Sequence, residues 1–252
     1  MERAAIHRAA GLLVEARRTG VLLAGLPPSC RPESVDDALA IQDATVAALG
    51  ATVAGWKVGS RQDGRVVRGA LLRSRVFRSG AELRASEVPL LGVEAEIAFR
   101  FDRDLPPRER PYDHGEVADA VTAFPAIEVV DSRYRDYRSA PLIERIADCA
   151  SNGAFVYGPP QVHWREFDLA KLDARLEIDG RVVVRRVGGH PAGDPLLPAV
   201  DLVNDLRLAG GVRAGAIMTT GTYTGLNFAE PGQRIRVAFE GFGSAEVEFG
   251  RS

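Results

Sequence analysis

The hydrophobic rhythm of the chain changes once. Through the first fifty residues apolar positions recur at helical spacing; from Ala51 onward they come in short runs punctuated by glycine and proline. The pattern predicts one helix from about Glu2 to Arg18. It predicts a second beginning at Ser34, where a hydroxyl suited to capping stands three residues before Asp37. Ala38, Ile41, Thr45, Val46 and Leu49 make the inward stripe of that helix, and Gly50 is a natural stop. The proline-rich LPPSCRP joins the two helices. Residues 1–52 are therefore expected to form a helical cap region on a β-rich body spanning residues 53–252.

The body offers TVAGWKVGS, VEAEIAFRF, FPAIEVVDSRY, ARLEIDGRVVVRR, GAIMTTGT and RIRVAFEGFGSAEVEF as strands. Asp179-Gly180 and the stretch from Gly241 to Gly243 predict two hairpins. AVDLVNDLRLAGG breaks the pattern, with Val200, Val203 and Leu206 at helical spacing before two glycines. The expected class is α+β, with the sheet rolled or sandwiched.

At 252 residues and 46% hydrophobic content the chain can bury a substantial core. Its 32 basic and 34 acidic residues nearly cancel, so no overall positive field invites nucleic acid or anionic lipid. Small molecules and copies of itself are the expected partners. Two cysteines, Cys30 and Cys149, are too few for a disulfide framework or a structural zinc site, and suit a reduced cytoplasmic protein. The apolar stretch Ala9–Val14 is soon followed by Glu15, Arg17 and Arg18, which marks a helix rather than a signal peptide. No run approaches the length of a membrane span.

The candidate chemistry starts at GVEAEIAF. Val93, Ala95, Ile97 and Phe99 alternate, so Glu94 and Glu96 share the opposite face of a strand. A solvated sheet face would tolerate two adjacent charges, and a metal ion would need them; both readings stand at this point. Glu128 lies inside an apolar run, where an unpaired carboxylate costs several kcal/mol and so requires a partner. If its strand lies beside that of Glu94 and Glu96, three carboxylates converge as a hard-cation site for magnesium or manganese rather than zinc. Lys57, between Gly55 and Gly59, either snorkels to solvent or pairs with carboxylates. Thr220-Gly221-Thr222 suits either an ordinary turn or a backbone nest for a carboxylate. Asp148 either caps the Ser151-Asn152-Gly153 turn or hydrogen-bonds the lysine or a metal-bound water. The histidines, His7, His114, His163 and His190, are scattered, and H-E-x-x-H, G-x-S-x-G and P-loop motifs are absent.

In order along the chain, DDALAIQ, GWKVG, GVEAEIAF, AIEVVDSRY, ADCASNGAFVYG, GAIMTTGT and GFGSAEVEF resemble the 2-keto-4-pentenoate hydratases and 4-oxalocrotonate decarboxylases of the fumarylacetoacetate hydrolase superfamily. The resemblance implies a mixed β roll with a small N-terminal helical region. It implies Glu94, Glu96 and Glu128 as ligands of Mg2+ or Mn2+, with Lys57 beside a bound 2-oxo acid as acid–base group or electrostatic anchor. Asp148 would orient Lys57 or a water, Thr222 would contact the substrate carboxylate, and the chain would form a homo-oligomer. The implied activity is addition of water to a 2-hydroxy-2,4-dienoate in aromatic-compound catabolism. The alternatives are decarboxylation of an oxalocrotonate-like diacid, carbon–carbon bond hydrolysis, for which no histidine stands near the lysine motif, and a noncatalytic role. One segment departs from the family. Where its hydratases carry an acidic pair, VVRGALLRSRVFRSG is basic, with Arg68, Arg73, Arg75 and Arg78, and Arg65 immediately precedes it. A loop folded over the site would let Arg73 or Arg75 bind a second substrate carboxylate; otherwise these arginines face solvent.

Overall fold

Both amphipathic helices form where their periodicity places them. In the computed structural model, which describes residues 1–62 and 64–251, α1 spans Arg3–Thr19 and closes on Gly20 in the left-handed conformation. Helix α2 spans Val35–Ala48, and the Ser34 side chain accepts the Asp37 N–H at 3.1 Å, satisfying one orphan donor of the first turn. Ala38, Ile41, Thr45 and Val46 are buried, as the stripe requires.

The strands that follow are β1 (Val53–Gln62), β2 (Arg65–Leu72), β3 (Val76–Arg78), β4 (Ala81–Arg84) and β5 (Gly92–Phe101). After α3 (His114–Ala118) come β6 (Val121–Val130), α4 (Leu142–Ala147), β7 (Asn152–Tyr157), β8 (Asp173–Ile178) and β9 (Arg181–Val187). The chain ends with α5 (Leu196–Leu206), β10 (Ile217–Thr222), β11 (Asn227–Phe228), β12 (Arg234–Phe239) and β13 (Gly243–Gly250). The larger sheet runs β2-β1-β10-β5-β6-β7-β3, with β11 beside β5; the smaller runs β4-β13-β12-β8-β9. The Asp179-Gly180 hairpin has both residues at positive φ, 50° and 75°, as a two-residue turn between right-twisted strands needs.

The alternation in β5 and β6 decides how the sheets meet. Ala95, Ile97, Phe99 and Phe101 of β5 and Ile127 and Val129 of β6 pack against Leu176, Val237, Phe239 and Val247 of the smaller sheet and Leu196, Leu202 and Val203 of α5. Each of the larger of these side chains contributes about 1.5–3 kcal/mol on burial, so this is the dominant core. The opposite face lines the inside of a roll, because the sheet curls until β2 approaches β7. Leu71, Ala98, Ala126 and Phe155 plug that interior. Helices α1, α2 and α4 form a second core with Val67 of β2. Gln42 fastens α2 to the sheet: its amide donates to the carbonyls of Arg68 (3.1 Å) and Ile146 (2.8 Å), and its oxygen accepts the Ala70 N–H at 2.8 Å. Two of those bonds occupy backbone groups of edge strand β2, and the third ties α2 to α4. Among the described residues no helix is long and apolar enough to cross a membrane.

The basic segment VVRGALLRSRVFRSG is not a loop over the site. It supplies β2, a single 3-10 turn at Arg73–Arg75, and β3, so most of it is part of the sheet. The arginines of β2 do not prevent strand formation, because Arg65 pairs with Asp36 (2.8 Å) and Arg68 with Asp205 (2.6 Å). Strand β7, within ASNGAFVYG, likewise had only a turn as its sequence signal.

Candidate active site

Antiparallel pairing of β5 and β6 sets Glu94 directly opposite Glu128, and the two-residue period puts Glu96 on the same face. One carboxylate oxygen from each of the three lies within 4.8 Å of the others. Glu96 is 2% exposed and Glu128 fully buried, with Glu94 half-buried, so this is not a solvated sheet face. Lys57 enters from β1 across β10, and its Nζ stands 2.6 Å from Glu128 Oε1. Gly55 lets β1 come this close, since a Cβ there would overlap the Ile217 backbone of β10.

Protein donors hold two of the three carboxylates. The Thr219 hydroxyl and the Gly221 N–H (3.1 Å) both donate to Glu96 Oε2. The Asn152 amide donates to Glu128 Oε1 at 3.2 Å, while Glu128 Oε2 is buried without a partner. Burial raises the pKa of Glu94 to about 7, opposed by Lys57 and reinforced by Glu128. Burial, then Glu128 and Glu94, raise Glu96 to about 8 against the pull of Lys57 and Thr219. Burial would lower the pKa of Lys57, but the three carboxylates, Glu128 foremost, outweigh it and drive it up. The ammonium offsets one of three negative charges and leaves the two that a divalent cation would cancel. An all-oxygen donor set with one orphaned buried oxygen fits a hard divalent ion.

The remaining site candidates fall in different places. Thr222 opposes Glu96 in the β10–β5 register, with its hydroxyl accepting the Thr224 N–H at 3.2 Å. Asp148 does not reach the lysine. Its fully buried carboxylate is taken by Arg133 Nε (2.6 Å), the Arg133 N–H (3.0 Å) and Arg17 (2.9 Å), a pairing its burial demands. Arg73 and Arg75 line a separate cleft of about 890 Å³, together with the end of α1 and Asp131–Arg133; Lys57, Thr222 and the three glutamates are not among its lining residues. Arg75 is held there by Glu87 (2.7 Å) and the Gly153 carbonyl (3.1 Å).

Two contributors escaped notice in the sequence, Thr219 and the Asn152 amide, while the Gly221 N–H belongs to the stretch read as a turn or a nest for a carboxylate, and the carboxylate it meets is that of Glu96. Alternation in IMTTGT would have placed Thr219 on the face of Ile217, but only the sheet order puts β10 between Lys57 and Glu96. His190 also lies closer than its sequence position suggested. It is 6% exposed, packs 5.3 Å from the Tyr223 ring and accepts the Ala192 N–H on Nδ1 at 3.2 Å. A Cβ at Gly221 would sit 3.4 Å from its Nε2. Burial lowers its pKa.

Residues 73–249 match the family model of the fumarylacetoacetate (FAA) hydrolase C-terminal region. A 2-keto-4-pentenoate hydratase of Paraburkholderia xenovorans LB400 is 32% identical over 258 residues, covering 96% of this chain and 94% of that protein. A 4-oxalocrotonate decarboxylase of Pseudomonas putida is 34% identical over 160 residues, covering 62% of this chain and 59% of its own. Among solved structures, the 4-oxalocrotonate decarboxylase of Pseudomonas putida G7 complexed with magnesium and adipate superposes with a TM-score of 0.85 at 25% identity, covering 99% of this chain and 98% of that one. With sequence likeness running nearly end to end and the fold shared over the same span, the chain belongs to the fumarylacetoacetate hydrolase superfamily, in the family of the 2-keto-4-pentenoate hydratases and 4-oxalocrotonate decarboxylases.

Proposed function

We propose that the protein is a divalent-metal-dependent hydro-lyase that adds water to a 2-hydroxy-2,4-dienoate. The observation that carries this is the buried cluster of Glu94, Glu96 and Glu128 balanced by Lys57, in a chain aligned almost end to end with hydratases. Those carboxylates would hold Mg2+ or Mn2+, which when bound supplies Lewis acidity toward the oxygens of a 2-oxo acid.

The chain's own groups do the rest. The Lys57 ammonium keeps the site from repelling an anionic substrate and is the candidate to carry a proton at the substrate's 2-oxygen. Thr222 accepts a bond from Thr224, and its own proton makes only contacts of 3.5 Å, which leaves it to donate to the substrate carboxylate. Asp148 acts through Arg133 rather than on the lysine. With 2-hydroxypenta-2,4-dienoate the enol proton is lost and carbon 5 gains one. Water then adds its oxygen to carbon 4 and a hydrogen to carbon 3, giving 4-hydroxy-2-oxopentanoate. The protein would work as a reduced cytoplasmic homo-oligomer, in keeping with two buried, unpaired thiols.

Decarboxylation of a 2-oxo diacid is the second reading, favoured by the likeness to the adipate-bound decarboxylase. Sequence likeness ranks it second, since the hydratase aligns over 96% of this chain and the decarboxylase over 62%. The test is to supply 2-hydroxypenta-2,4-dienoate and 4-oxalocrotonate separately with Mg2+, follow products by NMR and trap carbon dioxide. Water addition to the first with little carbon dioxide from the second is expected. Carbon dioxide release from the diacid with the dienoate untouched would put the decarboxylase first.

A further inference from the structure

We propose that Asn152 is a positioning residue of the metal site, and that the left-handed turn before it serves to present its amide to Glu128. The proposal rests on the metal-centre assignment and extends it to a residue that the cluster of glutamates does not itself predict.

Among the described residues the turn is the one place where left-handed non-glycine residues follow one another. Cys149, Ala150 and Ser151 follow one another with φ of 52°, 49° and 61°, and none is glycine. Each L-residue in that conformation costs roughly 1–2 kcal/mol, and single occurrences are the norm. A run of three persists only where the surroundings over-determine it. Here they do. Asp148, just ahead of the turn, is clamped by Arg133 and Arg17. The Ser151 N–H donates to the Asp148 carbonyl at 3.0 Å, the Asp131 N–H to the Ser151 carbonyl at 2.9 Å, and the Arg133 guanidinium to the Asn152 carbonyl at 3.2 Å. Gly69, the register partner of Lys57 on β2, makes room for the turn, since a Cβ there would overlap the Cys149 carbonyl.

The turn delivers Asn152 through an irregularity in the β6–β7 register, where Val129 faces Ala154 but Val130 faces Asn152. Asn152 is 4% exposed, and its amide nitrogen has two acceptors, Glu128 Oε1 at 3.2 Å and the Ala154 carbonyl at 3.3 Å. Lys57 grips the same Glu128 oxygen at 2.6 Å. Two donors on Oε1 fix the rotation of the carboxylate and leave the buried, unpartnered Oε2 as the oxygen for a cation. Glu96 repeats the arrangement, with Thr219 and Gly221 both donating to Oε2. An asparagine suits the role because it donates without adding charge, so the cluster keeps the two net negative charges that a divalent ion matches.

The experiment measures Mn2+ binding by calorimetry, without substrate, on the metal-stripped full chain of the parent, Asn152→Ala and Asn152→Leu; the leucine keeps the volume without the amide. Binding weaker by about 10- to 100-fold in both variants is expected, the usual consequence of removing a group that orients a metal ligand. Ala150→Gly, which relieves the left-handed cost and leaves the amide in place, should raise Tm and hold Mn2+ affinity within about twofold. Parent-like affinity in the Asn152 variants, with only Tm lowered, would overturn the proposal by reducing Asn152 to its bond with Ala154, while the metal site itself would stand. A parent that binds no Mn2+ would overturn the metal assignment and this proposal together.

Discussion

Three carboxylates forced into one buried face govern the behaviour of the site at the scale of single residues. Glu94 and Glu96, raised to about 7 and about 8, hold protons in the folded, metal-free protein that they release at ordinary carboxylate pH once unfolded. The folded state therefore binds more protons than the unfolded state between about pH 4.5 and 8. Stability of the metal-free protein should fall as pH rises through that window, and added Mg2+ should restore more of it at each step, because the ion replaces the protons. Thermal unfolding with chelator and with Mg2+ from pH 5.5 to 8.5 checks both slopes; parallel, flat curves would contradict them. These residues were legible in the sequence for separate reasons. Alternation in GVEAEIAF put Glu94 and Glu96 on one face, and the cost of burying a lone carboxylate marked Glu128. Asp148 was not legible, because one of its partners, Arg17, lies 131 positions away on another element.

Among the elements, the longer helices α1, α2 and α5 declared themselves, while α3, α4 and the strands β2, β3, β4, β7 and β11 did not. Caps and apolar stripes in α1 and α2 are local, so sequence suffices. In β2 the charges of Arg65 and Arg68 mask a strand whose other positions are nearly all buried, and only their partners Asp36 and Asp205 explain how it forms. Gln42 sits at the seam between the two kinds of element and gives the DDALAIQ stretch a physical purpose. Gln42→Ala would strand the Ala70 N–H and two carbonyls away from water, at a cost of about 2–3 kcal/mol. Urea unfolding should show a lower midpoint at unchanged m. A midpoint equal to the parent's would mean that water replaces the amide freely and that the helices do not depend on this clasp.

Over the whole molecule, the roll explains why residues from five separate strands meet. Lys57 of β1, Thr219 and Gly221 of β10, Glu94 and Glu96 of β5, Glu128 of β6 and Asn152 of β7 all face one interior, closed below by Leu71, Ala98, Ala126 and Phe155. The class of fold followed from strand spacing, but strand order is a long-range property that alternation leaves open, so the contributions of β7 and β10 emerged only with the tertiary structure. Arg73 and Arg75 line a cleft whose lining residues do not include the glutamates, so the sequence's main pointer to a diacid substrate gains no support from it. The metal requirement for hydration is read from the rate at which metal-stripped protein consumes 2-hydroxypenta-2,4-dienoate as Mg2+ is titrated back into this interior, compared between the parent and Glu94→Gln. The parent should regain activity saturably with Mg2+, and Glu94→Gln should stay at least ~100-fold lower in kcat/KM. Equal rates with and without chelator, or a Glu94→Gln protein as active as the parent, would contradict it.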